Sequence, residues 1–240
     1  MPSDPLSRIP LAEALAAALH GPLPGVTSQA RFAPELSFGR HFGPPPASAR
    51  RAAVLVLLYR CDGSGPIDRT IGTEAAGANV ADSIALASWR VPLIVRPEHL
   101  EHHAGQIGLP GGIIEADETP IDAARRELHE ELGVPRHEID VLGQLSPLYV
   151  YGSNHYVIPH VAISADSPTF IVNVDEVAEV IELPLPYLLD PAQIDTEARE
   201  HRGVRFRAPY LAFGPHHIWG ATAMILGEFA AVLRATATAE

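Results

Sequence analysis

The chain has 240 residues, enough for one large domain with an ample core, and a formal net charge of −12 from 17 Lys and Arg against 29 Asp and Glu. That balance excludes a nucleic-acid surface built on Lys and Arg, so an anionic substrate would need local cations or metal ions. The single cysteine, Cys61, cannot form an internal disulfide, which fits a reducing compartment, and no apolar run reaches the roughly 20 residues needed to cross a bilayer.

The first stretch, MPSDPLSRIPLAEALAAALHG, has no basic cluster and carries an acidic residue before its Ala/Leu run. It predicts a small helix from about Leu11 to Leu19, not a signal peptide, and the cytoplasm as the default location. Residues 20–48 are Pro- and Gly-rich and predict an irregular surface arm, so residues 1–48 are set apart from a main domain over 49–240. AAVLVLLY (Ala52–Tyr59) is a continuous apolar run, as expected of a strand buried on both faces. Residues 61–90 read as a long connection or insertion, and SIALASWRVPLIVR returns to strand character with Pro92 at an edge or break.

After a Glu-rich segment come three strand-like runs, VLGQLSPLYV, YVIPHVAIS and VAEVIELPL. TEAREHRGVRFRAP predicts a hairpin turning at Arg202-Gly203; its Arg199, Arg202, Arg205 and Arg207 read first as a solvated face, then as a dimer or substrate contact. IWGATAMILGEFAAVLRA closes the chain as an amphipathic helix, and Trp219 is expected to pack on the sheet. The histidine pair before it, His216 and His217, suits capping or surface packing, since no third metal ligand is evident. Strands with few, well-separated helices indicate an α/β layered domain with a mixed sheet.

The segment LPGGIIEADETPIDAARRELHEELGV (Leu109–Val134) carries the chemistry. Thr119 can cap a helix with Pro120 at its first position and Asp122 completing a T-x-x-D box, and Gly133 supplies its end, giving a helix over about 120–132. Ile121, Ala124, Leu128 and Leu132 form one apolar stripe facing a sheet. Glu127, Glu130 and Glu131 share an arc beside that stripe, although like charges at i,i+4 cost a helix about 0.2–0.5 kcal/mol per pair. Converging hard oxygen ligands suit Mg²⁺ or Mn²⁺, and the Gly111-Gly112 turn lets backbone approach without a Cβ in the way.

This stretch resembles the signature of the Nudix hydrolases, G-x5-E-x7-R-E-U-x-E-E-x-G-U with U a bulky aliphatic, at Gly112, Glu118, Arg126, Glu127, Leu128, Glu130, Glu131, Gly133 and Val134. The resemblance implies a Nudix fold, an α/β/α sandwich with a mixed central sheet and a loop–helix–loop catalytic motif. It also implies Mg²⁺- or Mn²⁺-dependent hydrolysis of a nucleoside diphosphate linked to another group. Glu127 and Glu131 would be metal ligands, Glu130 a further ligand or the group that orients and deprotonates water, and Glu118 a further ligand or a partner of Arg126, which would hold the carboxylates in position.

Upstream, LIVRPEHLEHHAGQIGLPGG (Leu93–Gly112) resembles the segment that coenzyme A pyrophosphatases of this superfamily carry before the signature, with Arg96, Leu100, His103, Gly105, Gln106, Pro110, Gly111 and Gly112 matching. DEVAEVIELPLPYLLDP (Asp175–Pro191) and HIWGATAMIL (His217–Leu226) also resemble that subfamily. The resemblance implies cleavage of CoA or acyl-CoA to 3′,5′-ADP and a 4′-phosphopantetheine, with Arg96, His103, Gln106, Gly111 and Gly112 contacting the substrate. Glu101, Pro97 and Leu109 stand where the subfamily usually has a basic residue, Ser and Phe, so ADP-ribose or another nucleoside-diphosphate derivative is the alternative. A nucleotide-binding module without catalysis is a third reading. Small-molecule nucleotides are the expected partners, with no membrane, and a homodimer is an open option.

Overall fold

The run Arg50–Arg60 forms β1, the strand on which the molecule is built. Its alternate side chains enter two different cores. Ala53, Leu55 and Leu57 join one, and Ala52, Val56 and Leu58 the other, all at 7% exposure or less. Such double burial explains the unbroken apolar sequence. The structure, a computed structural model, describes residues 10–37, 39–61, 86–100, 103–201 and 203–237. Most of the expected insertion at 61–90 therefore lies outside the described residues, as do Glu101, His102 and Arg202.

The strands following β1 are β2 (Trp89–Val95), β3 (Ile107–Gly108), β4 (Gly111–Ile113), β5 (Ile139–Gln144), β6 (Leu148–Val150), β7 (His155–Ser164), β8 (Glu179–Pro184), β9 (Ile194–His201), β10 (Val204–Phe213) and β11 (His216–Trp219). Among the described residues the helices of more than three residues are α1 (Pro10–Leu19), α2 (Val26–Gln29), α3 (Pro120–Leu132), α4 (Leu185–Leu189) and α5 (Gly220–Ala237). Among the described residues β1 to β8 make one mixed sheet, in which β1 runs parallel to β7 and antiparallel to β4 and β2. The strands β9, β10 and β11 make a separate antiparallel sheet. With α3 on one face and α5, backed by α1, on the other, the molecule is an α/β/α sandwich with a mixed central sheet, as the sequence resemblance implies.

Two local expectations are revised and a third holds. Gly111 and Gly112 do not make a turn but open β4, pairing with Val54 and Ala53 of β1. Pro92 does mark a local break: β8 pairs with β2 throughout Arg90–Val95, while on the other side β1 meets it only at Trp89–Arg90 and β3 only at Ile94–Val95. The proline falls in the interval between those partners, where a missing N–H leaves no ladder incomplete. Finally, α5 is buried nearly all round from Ala223 to Ala230, because the N-terminal segment covers the face that amphipathicity would give to water. The predicted irregular arm is in fact partly helical, and its Gln29 and Phe32 are buried.

Candidate active site

Helix α3 starts and stops where its local chemistry dictates. The Thr119 hydroxyl accepts from the Asp122 N–H at 3.3 Å, and Gly133 ends the helix at φ 71°, a left-handed conformation that costs glycine nothing. Ala123, Ala124, Leu128 and Leu132 lie buried against β1 and β7, with Ile121 partly buried. This seating turns Glu127 and Glu131 inward toward β4.

Arg126 neutralises the cluster from the side. Its Nε and one terminal nitrogen grip Glu118 in a bidentate pair at 3.0 and 3.1 Å. The other terminal nitrogen reaches Glu127 at 2.8 Å and Glu130 at 2.9 Å, and the Ile113 carbonyl takes a further N–H at 3.0 Å. Planar, always-charged guanidinium suits this fan of carboxylates better than an ammonium would. Hydrogen bonding from Arg126 holds the Glu118 carboxyl below its usual range.

Glu131 is only 2% exposed, and one of its oxygens accepts the Gly111 N–H at 2.9 Å. Burial pushes its carboxyl up to about 8, a rise opposed by that N–H and strengthened by the nearby Glu127. Glu127 is raised as well, again by burial first, against the pull of Arg126. The two glycines are what let carboxylates sit so near the strand. A Cβ on Gly112 would overlap the Glu127 carboxylate, and one on Gly111, at φ 149°, would overlap the Ala53 carbonyl and Val54.

A third carboxylate arrives from elsewhere in the chain. The loop before β8 lies on the C-terminal end of α3, where the Ile171 and Asn173 N–H groups bond the otherwise orphaned carbonyls of Leu132 and Glu131 at 2.9 and 3.0 Å. Val177 anchors it in the core, and the Ala178 N–H bonds the Val95 carbonyl at 2.8 Å. Glu176, held between these anchors, turns its carboxylate toward α3. Ligand oxygens of Glu127, Glu131 and Glu176 all lie within 4.8 Å of one another. The sequence reading missed Glu176; its only local signal was an acidic pair, Asp175-Glu176, just before a strand. Of the other expected ligands, Glu118 and Glu130 turn to Arg126 and lie outside this trio.

Arg96 follows β2 and sits partly buried near Glu131, its Nε enclosed without a hydrogen-bond partner among the described residues. The Gln106 carbonyl receives the Arg96 N–H at 3.0 Å, and the His103 Nδ1 donates to the Gln106 side-chain oxygen at 2.8 Å. These bonds bring the Arg96 backbone beside Gln106 and the Gln106 side chain beside His103, one ridge leading into β3. His216 and His217 lie in β11 rather than at a helix cap, facing Glu179 at 3.2 Å and Glu197 at 2.8 Å. Arg199 pairs with Glu197 and lies over Trp219 at 4.1 Å, so it is packed rather than solvated.

Residues 85–206, just over half of the chain, match the NUDIX domain family. The chain is a Nudix protein. Two relatives named Nudix hydrolase NudL are similar to it. That of Yersinia enterocolitica is 35% identical over 155 residues, 60% of this chain and 79% of the relative. That of Photorhabdus laumondii is 32% identical over 162 residues, 63% of this chain and 86% of the relative. Among solved structures, the Nudix hydrolase RenU of M. smegmatis aligns with 24% identity and a TM-score of 0.40, covering 57% of this chain and 71% of that one. The MutT protein of Methanosarcina mazei Go1 aligns with 16% identity and a TM-score of 0.44, covering 78% and 96%. The family match and the NudL relatives make the chain a Nudix hydrolase of the pyrophosphohydrolase type, a family that acts on small nucleotides. No helix among the described residues is long and apolar enough to cross a membrane.

Proposed function

We propose that this Nudix hydrolase cleaves the pyrophosphate bridge of CoA or acyl-CoA, releasing 3′,5′-ADP and (acyl-)4′-phosphopantetheine with Mg²⁺ or Mn²⁺. The observation that carries the reaction type is the trio Glu127, Glu131 and Glu176, whose oxygens approach within 4.8 Å beneath β4. Three carboxylates this close, one of them buried, fit a hard divalent cation and little else. When bound, the cation neutralises the bridge oxygens and acidifies the attacking water.

The protein's own part is positioning. Glu127, Glu131 and Glu176 would hold the ion, and Arg126 fixes the carboxylates of Glu118, Glu127 and Glu130 by direct hydrogen bonds. Glu130 keeps a half-exposed side chain in reach of solvent, which suits the group that takes the proton from water. Arg96 offers an unpaired buried N–H to the negatively charged bridge, and Gln106 and His103 continue that surface along the ridge. The CoA preference rests on the match of Leu93–Gly112, Asp175–Pro191 and His217–Leu226 to the coenzyme A pyrophosphatases.

Glu101 favours a second reading, in which the substrate is ADP-ribose or another nucleoside diphosphate derivative. Steady-state kinetics with Mg²⁺ on CoA, acetyl-CoA and ADP-ribose decides between them. We expect the highest kcat/KM on a CoA substrate; a higher value on ADP-ribose replaces the first reading by the second. Calorimetric nucleotide binding without hydrolysis of any of the three would make the chain a binding module.

A further inference from the structure

Glu127 and Glu131 are fixed by the helix that carries them, whereas Glu176 stands on a loop and depends on how that loop is held. Phe170 meets Tyr59 edge-on, with ring centroids 5.5 Å apart, and Val172 and Val177 pack into the core that α3 shares. Between those two valines the one apolar side chain, Val174, is 75% exposed, and Ile171 before them is 72% exposed. Hydrophobic burial therefore fixes the ends of the segment but not the turn that carries Glu176.

Hydrogen bonds on a single residue fix that turn. The Asn173 N–H donates to the Glu131 carbonyl at 3.0 Å. The Asn173 carbonyl accepts from the Glu176 N–H at 3.0 Å and from the Val177 N–H at 2.8 Å. Its side-chain Oδ1 accepts the Asp175 N–H at 3.2 Å. Together these bonds cap one isolated turn, a role that suits asparagine and that alanine cannot fill. The backbones of Glu131 and Glu176 are thereby joined through one residue, with a hydrogen bond on each side. Their carboxylates meet at the far end of this link, within 4.8 Å of each other and of Glu127.

Gly133 leaves the room for it. A Cβ there would lie 2.7 Å from the Ile171 Cβ and 3.0 Å from the Ile171 carbonyl oxygen. The same glycine ends α3 at φ 71°, so one position serves both the helix terminus and the loop that docks on it.

We propose that Asn173 is a positioning residue for the divalent-cation site. It transmits the place of α3 to Glu176, and with the space left by Gly133 it decides whether the third carboxylate reaches the ion. This rests on the Nudix pyrophosphatase reading and deepens it. The effect of Asn173 on the ion passes through Glu176 alone, because Glu127 and Glu131 are held by α3 itself.

The test reads metal binding without turnover. Mn²⁺ is titrated by calorimetry into the full-length, chelator-treated and desalted protein, with no nucleotide present. The proteins are the wild type, Asn173→Ala, Asn173→Ser, Glu176→Gln and the double variant of Asn173→Ala with Glu176→Gln. We expect Asn173→Ala and Glu176→Gln each to bind Mn²⁺ about tenfold more weakly, as for groups that orient metal ligands. Asn173→Ser, an equally good cap without added charge, should recover most of the affinity. The double variant should bind no more weakly than Glu176→Gln, since both changes share one route to the ion. Thermal unfolding in EDTA identifies a variant that has lost its fold. Should Asn173→Ala do so, Gly133→Ala replaces it in the same cycle, with the same expectation. Additive losses in the double variant, a serine variant no better than alanine, or unchanged affinity in Asn173→Ala beside a loss in Glu176→Gln overturns the proposal and leaves the hydrolytic reading standing. Failure of that reading looks different: the wild type retains no Mn²⁺ and cuts no bridge in CoA or ADP-ribose.

Discussion

A carboxyl group taken out of water keeps its proton, and Glu131 is the clearest instance in this molecule. Its folded value of about 8 stands above the ordinary 4.5 because of burial. Between those values the metal-free folded protein binds more protons than the unfolded chain, so the stabilisation is full below about pH 4.5 and is lost as pH rises through 8. The slope approaches about 1.4 kcal/mol per pH unit, and Glu127 acts in the same sense. Chelated protein should therefore melt at progressively lower temperature from pH 5 to pH 8, and Glu131→Gln should flatten the profile. A flat wild-type curve would place this carboxyl in contact with water. Turnover separates the ion-holding residues from their supports. Glu127→Gln, Glu131→Gln and Glu176→Gln should each fold and lose about a hundredfold or more in kcat, several kcal/mol of transition-state stabilisation. Glu118→Gln, which touches only Arg126 and the Glu115 N–H, should lose about tenfold.

At the scale of elements, α3 was legible because its boundaries are set by neighbours in sequence: the Thr119 cap, Pro120 and Gly133. β1 was legible because burial on both faces demands a continuous apolar run. Glu176 was not, since a loop carboxylate far from the helix in sequence looks like any other until the loop docks on the end of α3. Strand β4 was missed for the opposite reason. Two glycines signal freedom, whereas here their lack of side chains permits pairing with β1 at close range. The two positions should fail differently. Gly111→Ala collides with backbone of β1 at an unfavourable φ and should cost about 2–3 kcal/mol in unfolding free energy. Gly112→Ala displaces the Glu127 carboxylate and should lower kcat more than melting temperature. Equal melting temperatures for the two variants would contradict this division.

Across the whole molecule, one residue of the last helix is the polar anchor of an N-terminal segment that also packs Leu15, Leu19 and Phe32 into the core. Glu228 is fully buried, and its carboxyl group accepts from the Gly25 N–H at 3.0 Å, the Gln29 side chain at 2.8 Å and the Ser146 N–H at 3.2 Å. One side chain thereby ties the arm, α5 and the β5–β6 connection together. Glu228→Ala strands those donors and should cost about 3 kcal/mol, with early proteolytic cleavage within residues 20–48 as the readout. Uniform protection of that arm in the variant would show that apolar packing alone retains it. None of this was readable in the sequence, where residues 20–48 look like an unanchored stretch of Pro and Gly.

The guanidinium of Arg126 has one more implication. Because this one cation, built into the chain, bridges three glutamates, folding does not have to wait for a cation from solution. The empty scaffold should persist as a durable species that can be stripped and replenished repeatedly. We expect a sample dialysed against EDTA to keep its circular dichroism spectrum and to regain full turnover within the mixing time when Mg²⁺ is returned, with no lag for refolding.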